Sequence, residues 1–156
     1  MKTSNGISYT QSEVKNYSYE ELTVGQTESF TRTVTEKEMK MFREMTGDKN
    51  PLHCDDDYAK LLGYKRRVVY GMLTASYLSA LAGMYLPGLK SLIYEVEVKF
   101  VKPNVDIGGE IIVSGTVTQK SDVFKRIVLQ VEVTGADGKQ LLRGKMKVGV
   151  SESGGI

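Results

Sequence analysis

The amino-acid sequence predicts an α+β fold in which a buried helix lies against one face of a curved antiparallel sheet. Three features of the 156 residues indicate this fold. One strand-like segment comes early, helical patterns follow it, and the second half alternates between strand patterns and short turns. Because consecutive strands joined by tight turns pair antiparallel, this order of elements is typical of α+β proteins.

The first strand is predicted over residues 27–34, where threonine and large apolar residues favour extended structure. Thr35 then has the features of a helix N-cap, because Glu38 stands three residues later and completes a capping box. Methionine and phenylalanine residues recur at helical spacing after it. Gly47 is expected to end this helix.

Two more helices are predicted before the main run of strands. The first covers about 55–62, begins with acidic residues and ends at Gly63, with Tyr58, Leu61 and Leu62 on an apolar side. The second covers about 71–86 and is apolar nearly all round, so we expect it to be enclosed by the rest of the fold.

Four strands are predicted after this helix. In the first of them, apolar residues alternate with charged ones between Tyr94 and Phe100, which predicts one buried and one solvated face. The other three strands are predicted over 111–118, 124–133 and 141–150. Turn residues at 121–122 and 136–138 separate these three strands and favour hairpins.

Composition excludes several classes of protein. With 21 basic and 19 acidic residues, the chain has no basic surplus suited to nucleic acid, and its single cysteine, Cys54, excludes an internal disulfide. The longest apolar segment, 72–86, is too short to span a bilayer. We therefore expect a cytoplasmic protein with one domain over residues 1–156 and loose ends at 1–16 and 151–156.

Residues 46–55 concentrate unusual side chains and include the only histidine, His53. Pro51 restricts the backbone of Asn50, so Asp48 and His53 are held on one stiff loop between two helices. A carboxylate and an imidazole in this arrangement are suited to proton transfer with a water molecule.

Simpler interpretations of the same loop remain open. Asp48 could cap the nearby helix, Asn50 and Pro51 could form an ordinary turn, and His53 could be a hydrogen-bonded core residue. A metal site built from His53 and the acids at 55–57 is less favoured, because acidic residues are also expected at a helix N-terminus. We therefore predict no metal and no cofactor, and we assign Cys54 to packing.

The loop is one of several motifs that together resemble a known family. They are, in order, Gly47-Asp48-x-Asn50-Pro51-Leu52-His53-x-Asp55, Tyr58-Ala59, Val68-Val69-Tyr70-Gly71-Met72-Leu73-Thr74-Ala75-Ser76, Leu86-Pro87-Gly88, Phe100-Val101-Lys102-Pro103 and Gly109-Glu110. Over roughly residues 25–150, this series resembles the MaoC-like, (R)-specific enoyl-CoA hydratases. The resemblance implies the hot-dog fold, a long central helix wrapped by a curved antiparallel sheet.

The resemblance also implies a reaction. Asp48 and His53 would hold a water that adds across the C2=C3 bond of a trans-2-enoyl thioester of coenzyme A or acyl carrier protein, giving the (R)-3-hydroxyacyl product or running in reverse. The backbone N–H of Gly71 would stabilise the enolate oxygen, since the first turn of a helix has unpaired donors. Asn50 is expected to bond loop backbone around this pair.

Other residues are predicted to contact the substrate. Tyr70 takes a position where relatives often carry histidine, and the alternative for it is a packing residue whose hydroxyl reaches solvent. Ser79 and Ala82 share a helical face with Ala75, which predicts either an acyl tunnel or close packing against backbone.

The chain also has two adjacent arginines and, in the predicted fold, an open sheet edge. Arg66 and Arg67 are candidates for the carrier's phosphates, with a solvated loop as the alternative. A homodimer is expected, because a hot-dog protomer leaves a sheet edge exposed. Two other functions stay open at this point, a hot-dog acyl-thioesterase and a non-catalytic module that binds acyl-thioesters.

Overall fold

A computed structural model of the chain describes residues 13–152. Its five strands are β1 Thr27–Thr33, β2 Ser91–Phe100, β3 Glu110–Ser121, β4 Arg126–Gly135 and β5 Gln140–Val150. Its helices are α1 Glu36–Thr46, α2 Asp56–Leu61 and α3 Gly71–Ala80, with a 3-10 turn at Pro51–His53 and a π turn at Leu81–Tyr85 that continues α3.

The strands form one sheet in the order β1-β3-β4-β5-β2, and every neighbouring pair is antiparallel. The ladders of β2–β5, β3–β4 and β4–β5 each contain a shift in register, and such bulges bend a sheet. The curved sheet and its central helix confirm the predicted α+β class and the hot-dog arrangement.

The core lies between α3 and one face of the sheet. Leu78 and Leu81 from the helix are buried in the same cluster as Val113 of β3 and Leu129 of β4. Gly115 of β3 allows this close approach, because a Cβ atom there would lie only 2.8 Å from Leu81 Cδ2.

Local signals place α1 as predicted. The Thr35 hydroxyl accepts a hydrogen bond from the backbone N–H of Glu38, and the Glu38 side chain accepts one from the backbone N–H of Thr35. Gly47 ends the helix in the left-handed conformation at φ 76°. The capping box and the glycine together set both ends of α1.

The predicted apolar side of α2 is wrong. Tyr58, Leu61 and Leu62 are all exposed, and Ala59 is the buried residue of this helix. The helix has only six residues and is capped by Asp55, whose side chain accepts two backbone N–H bonds. It is therefore stabilised by its cap and one small contact, without an apolar stripe.

Two other burial expectations are also wrong for the single chain. The sheet covers one side of α3, but Met72, Ser76 and Ser79 on the opposite side are exposed, so the helix is not fully enclosed. On β2, Val96 and Phe100 are 47% and 49% exposed. Val96 and Phe100 are paired with the buried residues Met146 and Leu142 of β5, so they lie on the inner face of the sheet, but they line a cavity there instead of packing in the core.

The ends of the described segment are bonded to the domain. The N–H of Lys15 donates to Met84 O at 2.8 Å, and Asn16 forms an antiparallel bridge with Gly88. The expectation of a loose end through residue 16 is therefore wrong from Lys15 onward. Ser151 N likewise donates to Lys90 O, while residues 1–12 and 153–156 lie outside the description. None of the helices within 13–152 has the length and apolarity needed to cross a bilayer.

Candidate active site

The loop after α1 is built from side-chain bonds to its own backbone. Asp48 Oδ1 accepts a hydrogen bond from Asn50 N at 3.0 Å, and Asn50 Oδ1 accepts one from Leu52 N at 3.0 Å. Asn50 is thereby the N-cap of the 3-10 turn, with Pro51 as its first residue. This places Asn50 where the sequence analysis expected it, bonded to loop backbone.

His53 ends the 3-10 turn and is oriented by a backbone carbonyl. Its Nδ1 lies 2.7 Å from Val68 O, and its ring stacks on that of Tyr70 with centroids 4.1 Å apart. A carbonyl oxygen can only accept, so Nδ1 must carry the hydrogen. In the neutral imidazole, Nε2 therefore has a free lone pair.

Tyr70 connects the two predicted acid–base residues. It is buried, its ring packs on His53, and its hydroxyl donates to the backbone oxygen of Asp48 at 2.6 Å. Burial raises the pKa of Tyr70 to about 12. The alternative in which this hydroxyl reaches solvent is wrong, because it is bonded inside the loop.

Gly71 is the first residue of α3, and no side chain in the described part of the chain caps this end of the helix. The first helical N–H with a backbone partner is that of Thr74, which donates to Tyr70 O at 3.1 Å. The Gly71 N–H therefore has no bond within the helix, and it lies at the positive end of the helix dipole. Such a donor is suited to a developing oxyanion.

Two cavities meet at these residues. One of about 310 Å³ and one of about 830 Å³ share His53, Gly71 and Phe100 as wall residues. Asp48 and Tyr70 line the larger cavity only. Asp48, His53, Tyr70 and Gly71 therefore all line the larger cavity, and their predicted roles in the reaction remain predictions.

The larger cavity has a mostly apolar wall. Besides the residues just named, it is lined by Phe42, Thr46, Met72, Ala75, Ser76, Val96 and Val98. The sequence analysis did not identify Ser76, or the β2 residues Val96, Val98 and Phe100, as part of the cavity wall. The alternation along β2 was visible, but it identifies an apolar face without showing what that face contacts.

The predicted tunnel residues Ser79 and Ala82 are not at this cavity. Ser79 lines a separate one of about 620 Å³ beside Phe30, and Ala82 is completely buried in the core. The prediction extended the tunnel along the whole helix, but α3 lines this cavity only between Gly71 and Ser76. Ala82 therefore fits the alternative interpretation of this face, in which small residues allow close packing.

Arg66 and Arg67 are held by ion pairs rather than left free. Arg66 donates to Val105 O at 2.7 Å and to Asp106 at 3.1 Å. Arg67 bridges Glu36 of α1 and Asp56 of α2, and these carboxylates raise the pKa of its guanidinium. The structure therefore gives no support to a phosphate site made of these arginines.

Among residues 13–152, no three His, Cys, Asp or Glu side chains cluster closely enough to hold a metal ion. Cys54 is a free, half-buried thiol whose Sγ lies 3.8 Å from the Tyr70 hydroxyl. This contact agrees with a packing role for Cys54.

A curved antiparallel sheet around one helix, with a polar loop at the start of that helix, defines a hot-dog protein. Residues 20–138 match the family model described as MaoC like domain. The chain belongs to this family.

Named relatives agree with that membership. An (R)-specific enoyl-CoA hydratase from Rhodospirillum rubrum is 32% identical over 136 residues, which are 87% of this chain and 93% of that protein. Among solved structures, an R-hydratase from Pseudomonas aeruginosa is 31% identical with a TM-score of 0.83, over 90% of this chain and 89% of that one. The (R)-hydratase of Aeromonas caviae is 29% identical with a TM-score of 0.79, over 83% and 98%.

Proposed function

We propose that this protein is a hydro-lyase that adds water to trans-2-enoyl thioesters, giving (R)-3-hydroxyacyl thioesters, or catalyses the reverse dehydration. The relatives are named hydratases and dehydratases, which supports this class of reaction. The observation that carries the proposal is geometric. Asp48, His53 and the N-terminus of α3 at Gly71 all face one cavity.

The chain's own groups suggest a division of roles. Nε2 of His53 accepts a proton from the water, because Nδ1 is already committed to Val68 O. Asp48 accepts the second hydrogen bond of that water and orients it toward C3. As C3 is attacked, negative charge moves to the thioester oxygen, where the Gly71 N–H donates to it. The resulting enolate is then protonated at C2 by the proton that His53 took from the water, which returns the imidazole to its neutral form.

Tyr70 has a positioning role in this scheme. Its hydroxyl holds the Asp48 backbone while its ring supports the His53 imidazole. Since its pKa is raised to about 12, it stays protonated and keeps donating throughout the neutral range. The position of Asp48 relative to His53 thus depends on the buried side chain of Tyr70.

We also propose that the protein is a homodimer. Among residues 13–152, β2 has an unpaired edge, and its exposed apolar side chains lie on both faces of the sheet, since Leu92 is paired with Gly149 and Val96 with the buried Met146. Pairing of two β2 strands would satisfy the backbone edge, and the second protomer would shield the apolar side chains next to it. The cytoplasmic location expected from the sequence stays a prediction.

The function is tested with crotonyl-CoA. We expect loss of the enoyl-thioester absorbance, no release of free thiol, and an (R)-3-hydroxybutyryl product on chiral analysis. Asp48→Asn should lower kcat by at least ~10², while Asp57→Asn, a matched change at an exposed acid of α2, should leave it unchanged.

Two results would contradict the proposal. Release of thiol would indicate a thioesterase instead, and binding without either reaction would indicate a module that only holds acyl-thioesters. An (S) product would contradict the stereochemical part alone.

A further inference from the structure

Lys102 lies at the smaller of the two cavities that meet at His53. It follows β2 directly, and the backbone N–H groups of Val101 and Lys102 both donate to Leu141 O, at 2.9 and 3.4 Å. This contact ties the segment to β5. The wall of this cavity includes His53, Gly71 and Lys102.

Positive charge accumulates around Lys102. Lys139 lies against it, Lys65 adds a further like charge, and one carboxylate, Asp137, is 3.9 Å from Lys102 and 3.5 Å from Lys139. Contact with Lys139 is the main reason why the pKa of Lys102 is lowered, with partial burial and Lys65 acting in the same direction. Asp137 is thus shared by two lysines, and Lys65 adds a third positive charge nearby.

Other acids lie near the cluster. Asp106 and Glu110 line a smaller depression of about 150 Å³ that also touches Lys102. Asp106 is occupied by Arg66 at 3.1 Å. The lowered pKa of Lys102 indicates that like charges and burial together outweigh the attraction of Asp137.

We propose that Lys102, Lys139 and Lys65 bind the phosphates of the coenzyme A carrier, whose arm passes through the smaller cavity to the thioester at Gly71. This inference rests on the proposed function and adds the orientation of the substrate in the two cavities. The carrier enters past Lys102, and the acyl chain extends into the larger, apolar cavity.

The order of atoms in the substrate supports this direction. The carrier sulfur is bonded to C1, whose oxygen meets the Gly71 N–H, and water adds at C3, two carbons further from the carrier. Asp48 lines the larger cavity and not the smaller one, so the group that orients water lies on the acyl side of Gly71. The smaller cavity, beside the lysines, must then hold the carrier.

The experiment compares two thioesters of the same acyl group. Crotonyl-CoA carries the phosphates, whereas the crotonyl thioester of N-acetylcysteamine lacks them. In Lys102→Ala/Lys139→Ala, KM for crotonyl-CoA should rise about 5- to 20-fold at low ionic strength, because two exposed charge pairs are lost. Its kcat should stay unchanged, and raising the salt concentration should shrink the difference between variant and wild type.

Lys125→Ala is the matched control. This lysine is ion-paired with Glu20 and lies at the far end of β4, about 30 Å along the strand from the cluster. Removing it changes the net charge without touching the site. We expect its KM for crotonyl-CoA to match that of the wild type.

The N-acetylcysteamine thioester separates this inference from the proposed function. Turnover of that substrate with equal KM in wild type and double variant supports the phosphate contact. An equal rise in KM for both substrates would overturn it, as would an unchanged KM for crotonyl-CoA. A rise seen only with acyl carrier protein thioesters would also overturn it, in favour of a protein-docking surface. If the wild type hydrates neither thioester, the proposed function itself is refuted.

Discussion

The ring of Phe100 lies against Gly71 so closely that a Cβ atom at Gly71 would come within 3.0 Å of Phe100 Cε1. Phe100 also lines both cavities that meet at the start of α3. The absence of a side chain at Gly71 therefore lets an aromatic ring from β2 approach the helix end that holds the proposed oxyanion donor.

This contact allows a test of the Gly71 N–H. Gly71→Ala and Gly71→Pro both add a Cβ against Phe100, but only proline removes the N–H. Proline is accepted at the first helical position, and Tyr70 at φ −55° and ψ 121° has the backbone that a residue before proline adopts. We expect kcat of the proline variant to be lower than that of the alanine variant by ~10²–10³. Equal kcat values in two folded variants would exclude the oxyanion role.

The bond from His53 to Val68 allows a second test. In His53→Asn the side-chain amide can still donate to Val68 O, but no group replaces Nε2. We expect kcat to fall by at least ~10² while the melting temperature stays near that of the wild type. His53→Ala should lose the same activity and about 1 kcal/mol of stability, because the Val68 bond is lost as well. Near-normal hydration by His53→Asn would show that Nε2 is not the base.

A third prediction concerns an unpartnered hydroxyl. Among the described residues, the Tyr77 hydroxyl is buried and has no hydrogen-bond partner. Tyr77→Phe should therefore raise the free energy of unfolding by about 1 kcal/mol, because an unpaired polar group is removed from the core. The matched change Tyr19→Phe breaks a 2.7 Å hydrogen bond to Asp122, so it should lower the free energy of unfolding by a similar amount. Urea unfolding measures both, and destabilisation by Tyr77→Phe would contradict this view.

The same tyrosine predicts how stability depends on alkaline pH. Burial raises the pKa of Tyr77 to about 12, from 10.0 in an exposed tyrosine. The folded protein thus keeps this proton while the unfolded chain loses it. The associated stability is complete below pH 10 and is lost as the pH rises from 10 to 12. In Tyr77→Phe the fall in unfolding free energy across this range should be shallower, and an unchanged slope would argue against the raised pKa.

The proposed dimer is tested at the edge of the sheet. Leu92 of β2 is 54% exposed, and Leu92→Lys places a charge where two apolar edges would meet. Light scattering should report twice 17.3 kDa for the wild type and 17.3 kDa for this variant. Val123→Lys, in the exposed turn between β3 and β4, should remain dimeric. A wild type of 17.3 kDa at micromolar concentration would contradict the dimer.

The sequence by itself determined the local elements of this protein. The capping box at Thr35, the left-handed turn at Gly47 and the bonded loop through Asn50 all depend on atoms within a few residues of one another. The strand segments followed from their alternation. Because these signals are short in range, the spacing of Asp48 and His53 on one stiff loop could be read directly.

Tertiary structure decided which faces are covered and which charges are free. Val96 and Phe100 of β2 are half exposed because they line the cavity beside α3, and the position of β2 next to β5 depends on pairing between distant segments. The cavity follows α3 only as far as Ser76, so Ala82 lies in the core instead of in a tunnel wall. The charged neighbours of Arg66 and Lys102 also depend on folding. Asp106 is 40 residues from Arg66 and Lys139 is 37 from Lys102, and only folding brings such charges within reach of one another.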